Sequence, residues 1–195
     1  MNLKKVTWSQ ISTVLLVVFT IAVLYSSRVK SWIIVGLMMV GFFKPDVPSL
    51  KDRQNLGPAP AMIAQRIDNK TIDLQQEKGK VVFVNFWATW CPPCLAELPS
   101  INSLYQKVKN NPNIVFVTVD VDNNLEKSTR FAKDKGYDFP VYGGDSLHVP
   151  DKLYENGIPT TLVIDKKGNL VFSHFNRANY DDEKFEQFLS DLSKE

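Results

Sequence analysis

The two cysteines of the chain, Cys91 and Cys94, lie within the stretch Asn85-Phe86-Trp87-Ala88-Thr89-Trp90-Cys91-Pro92-Pro93-Cys94. Thiols in C-x-x-C spacing at a helix start can close a small disulfide ring and open it again, which is redox chemistry. A bridge over so short a loop restricts the unfolded chain less than a long one would, so its value is chemical more than structural. A static bridge is the bland alternative. Structural zinc normally needs four ligands, and His148 and His174 are far from the pair and lack half-site spacing. No metal or other cofactor is therefore expected.

The elements that position the pair can be read on either side of it. Val81 to Phe86 is a near-continuous β-branched and aromatic run, the pattern of a strand buried on both faces. After the cysteines, Leu95, Leu98, Ile101, Leu104, Tyr105 and Val108 recur at helical spacing. Pro99 falls inside that helix and is expected to kink it. Beyond it come a second buried strand, Ile114 to Val119, and an amphipathic helix, Leu125 to Lys135, stopped by Gly136. A short extended piece, Phe139 to Tyr142, precedes the glycines 143 and 144, and Val149 to Tyr154 reads as a helical segment. Thr160 to Asp165 and Leu170 to Phe175 form a hairpin, and Asp181 to Ser193 closes the chain as a helix. An earlier hairpin pairs Met62–Ile67 with Thr71–Leu74 around Asp68-Asn69. The fold class is α/β, a central mixed sheet with helices on both faces.

The chain has 195 residues, room for one domain and an appendage, and its 44% hydrophobic, 23% charged composition is that of a folded protein. A net charge of +2 without a dense Lys/Arg block leaves no footprint for nucleic acid. After Lys4 and Lys5, the run Ile11–Tyr25 is uncharged. With its flanks it supplies about 17 to 20 residues, enough for a spanning helix. No small-x-small cleavage site follows, so residues 1–30 read as an uncleaved anchor rather than a signal peptide. The positive-inside rule then keeps Lys4 and Lys5 in the cytoplasm and exports everything after a single span. A second apolar run, Trp32–Phe43, is short for a bilayer of about 30 Å and is expected at its surface. With a Pro-rich linker it makes up residues 31–56, ahead of the domain at 57–195.

The cysteine stretch resembles the active-site loop of the thioredoxin superfamily, and Gly157-Ile158-Pro159-Thr160-Thr161 resembles its cis-proline loop. Cys94-Leu95-Ala96-Glu97-Leu98-Pro99 narrows the resemblance to the membrane-anchored TlpA/ResA-type thiol–disulfide oxidoreductases of bacteria. Asn85 stands where ordinary thioredoxins carry a buried aspartate, a departure those proteins share, along with a glutamate at the position of Glu97.

The resemblance implies a role for each residue. Cys91, at the helix N-cap where orphan N–H groups and the dipole favour a thiolate, is expected as the exposed nucleophile. Cys94, one turn in and less exposed, would resolve the mixed disulfide. Glu97 would shuttle the proton if buried; a solvated surface carboxylate is the alternative. Pro159 would be cis and present the backbone of Ile158 to an extended substrate, with Trp90, Pro92 and Pro93 shaping the surface around Cys91. Asn85 is expected to pack or hydrogen-bond beneath the site.

The expected activity is protein-disulfide reduction outside the cytoplasm by a single-pass inner-membrane protein. The resemblance implies a transmembrane thiol carrier as electron donor and apocytochrome c among the disulfide substrates, as in cytochrome c maturation. A thiol oxidase, or a non-enzymatic redox-sensing or binding module on the same fold, is the alternative.

Overall fold

Asn85 alone interrupts an apolar run in Val81–Trp87, and all of its residues are buried. This strand, β3, is the middle of the sheet. The computed structural model describes residues 8–25, 45, 47, 48, 50, 53, 55–148, 153, 154 and 156–195. The other strands are β1 (Ile63–Gln65), β2 (Thr71–Asp73), β4 (Ile114–Asp120), β5 (Val141–His148), β6 (Thr160–Ile164) and β7 (Leu170–Phe175). Together they form one seven-stranded sheet in the order β2-β1-β5-β4-β3-β6-β7. β3 runs parallel to β4, from Val81 opposite Ile114 to Trp87 opposite Asp120. It is antiparallel to β6, from Val82 opposite Ile164 to Phe86 opposite Thr160. The sheet is therefore mixed, as the sequence implies.

Four helices accompany it among the described residues: α1 (Trp8–Tyr25), α2 (Pro92–Val108), α3 (Leu125–Asp134) and α4 (Glu183–Lys194). Successive strand residues point to opposite faces. Val81, Phe83 and Trp87 meet the buried residues of α2, α3 and α4, while Val82, Val84 and Phe86 pack with Met62, Ala64, Ile72, Leu74 and Leu153. Phe83 is central to the first layer: it stacks on Phe116 at 4.2 Å and meets Tyr180 and Phe185 edge-on at 5.7 and 6.1 Å. By the same alternation Asn85 faces α2. The Asp182 side chain caps α4 by accepting from the N–H of Lys184 at 2.9 Å, and Phe185, Phe188, Leu189 and Leu192 bury its inner face.

One expectation is corrected and one falls partly outside the described residues. The helices α2, α3 and α4 all contribute to one face, while Leu153 of the expected Val149–Tyr154 segment packs on the other. The β3-α2-β4 and β4-α3-β5 crossovers proceed in the same direction across the sheet, so right-handed connections put both helices on the same side. The strand expected to end before the glycines runs on to His148. A Cβ on Gly143 would lie 3.2 Å from the carbonyl oxygen of Asp120, so the glycine permits close approach of backbone rather than ending the strand. The Trp32–Phe43 run and most of Val149–Tyr154 lie outside the described residues. Among those described, no helix is long and apolar enough to cross a membrane.

Candidate active site

β3 ends at Trp87, and a turn in which the N–H of Cys91 reaches the carbonyl of Ala88 at 3.2 Å delivers the first cysteine to the mouth of α2. Cys91 is the N-cap residue, in extended conformation, and Pro92 and Pro93 occupy the first helical positions, where a missing N–H removes no helical bond. The Cys94 N–H points at Cys91 Sγ from 3.2 Å, and the two sulfurs are joined in a disulfide. In the reduced form the same N–H would solvate a Cys91 thiolate, aided by the positive end of the helix.

The Ile158–Pro159 peptide bond is cis. It brings the carbonyl oxygen of Ile158 within 3.9 Å of Cys91 Sγ. Thr160 Oγ1 donates to the carbonyl of Gly157, and the N–H of Asn176 donates to that of Pro159, which ties the loop to β7. Trp90 is 61% exposed, its indole N–H donating to Asp122 Oδ2 at 2.7 Å. Pro92 is exposed, and Pro93 and Ile158 are half-buried.

Cys91, expected to be exposed, is only 2% accessible, against 0% for Cys94. Cys91 Sγ lies between the N-terminus of α2 and the Ile158 carbonyl. Trp90 and Pro92, its chain neighbours, are the residues that reach solvent.

Glu97 is fully buried. Its Oε1 accepts from Asn85 Nδ2 at 2.8 Å and its Oε2 from the Ala178 N–H at 3.1 Å. Loss of solvation pushes its carboxyl up to about 8, with the two N–H donors pulling the other way. The surface-carboxylate alternative is therefore excluded. Asn85 Nδ2 also donates to Thr161 Oγ1 at 2.9 Å, so the asparagine does hydrogen-bond beneath the site. Tyr180 is buried beside this group, its phenol pushed well up by burial and by the charge of Glu97. A hydrogen bond between its hydroxyl and the Thr161 side chain pulls the other way.

Sequence reasoning did not anticipate Ala178, Tyr180 or Asp122 at the site. Ala178 and Tyr180 come from an irregular segment after β7 that carries no periodicity. Among the described residues no group of three or more His, Cys, Asp or Glu could hold a metal ion.

The Redoxin family model matches residues 54–189, which takes in the whole of this arrangement. The chain belongs to the Redoxin family. The thiol-disulfide oxidoreductase ResA of Bacillus cereus is 34% identical over 122 residues, 62% of this chain and 70% of that one. ResA of Bacillus subtilis is 34% identical over 113 residues, 58% of this chain and 63% of its own length. A solved thioredoxin-family thiol:disulfide interchange protein from Chlorobium tepidum superposes with a TM-score of 0.55 at 27% identity, covering 70% of this chain and 95% of that one. The fold is thioredoxin-like, the chain is of the ResA/TlpA type, and the protein is a thiol–disulfide oxidoreductase. Proteins bearing disulfides or dithiols are the substrates such an enzyme implies.

Proposed function

We propose that this oxidoreductase works as a protein-disulfide reductase on the outer face of a bacterial inner membrane, held there by a single N-terminal span. The observation that carries the catalytic part is the convergence of Cys91 at the N-cap of α2, the Ile158–Pro159 loop against its sulfur, and buried Glu97 one turn beyond Cys94.

In the dithiol form Cys91 has given its proton to solvent, and its thiolate attacks a substrate disulfide. The substrate S–S bond breaks, a mixed disulfide forms on Cys91, and the first substrate thiolate leaves and is protonated by solvent. The Glu97 carboxylate then takes the thiol proton of Cys94, whose sulfur attacks Cys91 Sγ. The Cys91–Cys94 bond forms, and the second substrate thiolate leaves with the proton from Glu97. Two electrons and two protons have passed to the substrate. Its chain lies extended along the Ile158 backbone beside Pro159, with Trp90, Pro92 and Pro93 as the apolar surround.

A Pro-Pro pair without a histidine supports the reducing direction. The resemblance to the TlpA/ResA type supports a transmembrane thiol carrier as electron donor and apocytochrome c, kept reduced for haem attachment, as a substrate. The anchor reading rests on the sequence: the uncharged run Ile11–Tyr25 with its flanks supplies about 17 to 20 residues after Lys4 and Lys5. Residues 1–30 are accordingly the anchor, 31–56 an interfacial segment and linker, and 57–195 the catalytic domain.

Insulin reduction by the wild type and by Cys91→Ser and Cys94→Ser tests the reaction; full activity in both variants removes it. A reduction potential near that of the strongest oxidants, about −120 mV, would assign the oxidase direction instead. Labelling the reduced cysteines in intact cells with a membrane-impermeant reagent tests the topology, and no labelling contradicts it.

A further inference from the structure

Behind the disulfide the buried polar side chains form one connected set. Asn85 and Glu97 are fully inaccessible and Thr161 is 1% exposed. Among the described residues the Asn85 side chain hydrogen-bonds through Nδ2 alone, which donates to Glu97 Oε1 and to Thr161 Oγ1. The other end of the amide, Oδ1, is buried and meets no donor among the described residues.

This one-sidedness has a chemical consequence. The partners at the Nδ2 end are a carboxyl and a hydroxyl, and each can accept a hydrogen or give one. An Asn amide has nearly the same shape in its two orientations. A half-turn about the last side-chain bond breaks no protein hydrogen bond at Oδ1. It presents that oxygen to a protonated Glu97 and to the Thr161 hydroxyl, which both become donors.

We propose that Asn85, steadied by Thr161, is a positioning residue that serves both protonation states of Glu97 during exchange. Nδ2 donates to the carboxylate; after the amide turns, Oδ1 accepts from the acid. The inference rests on the reading of Glu97 as proton acceptor for Cys94. The proton leaves Cys94 Sγ and arrives on Glu97, no electron moves in that step, and the thiolate left behind attacks Cys91 Sγ. The Ala178 N–H keeps its hold on Oε2 throughout.

The groups that face Glu97 come from every element around it. Asn85 comes from β3, Thr161 from β6, the Ala178 N–H and Tyr180 from the segment after β7, and the cysteines from its own helix. Among the described residues no cation is one of the groups that set its proton affinity. Tyr180 is pushed far above the neutral range and stays protonated. The amide of Asn85 is therefore the one side-chain donor that favours the carboxylate among the described residues.

The test follows the ionisation of Glu97 in the oxidised full-length protein by carboxyl carbon NMR, with Glu97→Gln identifying the resonance. It is paired with the pH profile of disulfide reduction by the reduced protein. Asn85→Leu keeps the heavy-atom count and the branching at Cγ and removes the amide. A charge-assisted hydrogen bond is the stronger of the two it makes, so its loss raises the Glu97 midpoint by about one pH unit or more. Thr161→Val raises it by less, and the reduction profile moves by the same amounts. Thr161→Val carries the test alone if Asn85→Leu does not fold. Folded variants with an unmoved midpoint overturn the role of Asn85. A reduction profile that Glu97→Gln leaves unchanged instead overturns the reading of Glu97 itself.

Discussion

Replacing Glu97 by Gln should make the oxidised protein more stable at alkaline pH, relative to wild type, than at acid pH. Burial holds the Glu97 carboxyl near 8 in the folded protein, from an ordinary value of 4.5. Between those two values the native state keeps the proton and the unfolded chain releases it. The unfolded state then binds fewer protons, so the stability contributed by Glu97 is full below about pH 4.5 and falls as pH rises, until loss is complete above about pH 8. The separation corresponds to about 5 kcal/mol in all, roughly half of it lost between pH 6 and pH 8. A glutamine cannot ionise and removes this dependence. Any change in hydrogen bonding at the neutral amide does not vary with pH and cancels in the comparison. Urea unfolding of both proteins with the disulfide intact, at intervals from pH 5 to pH 9, gives the difference directly. The two stability curves should converge in acid and spread by several kcal/mol in base, relative to any constant offset. Parallel curves across that range would refute the burial argument for Glu97.

Three further perturbations separate surface from core. Trp90→Ala removes a ring that is 61% exposed and whose indole N–H donates to Asp122; KM for a protein disulfide should rise several-fold, while unfolding free energy changes by about 0.5 kcal/mol or less. Phe83→Ala empties the centre of the helix-side layer, where Phe116, Tyr180 and Phe185 converge, and should cost about 3–5 kcal/mol in urea unfolding. Asp182→Ala deletes the side-chain cap of α4 and should cost about 1 kcal/mol, with insulin reduction unchanged.

What could be read before the structure was whatever local chemistry dictates. The cysteine pair, the two prolines behind Cys91 and the Gly157-Ile158-Pro159 loop announce themselves by residue type and spacing. So does β3, because few segments but a doubly buried strand run Val-Val-Phe-Val. Two simple counts also point to the acid beneath the site. Asn85 shares a face with Phe83 by strand alternation, and Glu97 shares a side with Cys94 by helical spacing. The contact between them was not legible, because it depends on the distance between β3 and α2 and on their relative tilt. Thr161, Ala178 and Tyr180 reach the same spot from 64 or more residues beyond Glu97, counting from the numbering. Only the closing of the sheet by β6 and β7 brings them there. The burial of Cys91 was missed for a related reason: an N-cap position suggests access, but the loop that shields its sulfur is remote in the chain. The continuation of β5 through Gly143 was hidden because a glycine that ends a strand and one that lets two backbones approach look the same in sequence.

The central claim is that Cys91 attacks substrate and Cys94 resolves the product. Removing the resolving thiol should arrest the enzyme as a covalent adduct. Cys94→Ala, reduced and mixed with a disulfide-bonded protein such as insulin, should accumulate a mixed disulfide through Cys91, visible by mass spectrometry and reversed by dithiothreitol. Cys91→Ala should accumulate little. A stable adduct on Cys94 in Cys91→Ala, with none on Cys91 in Cys94→Ala, would contradict the account.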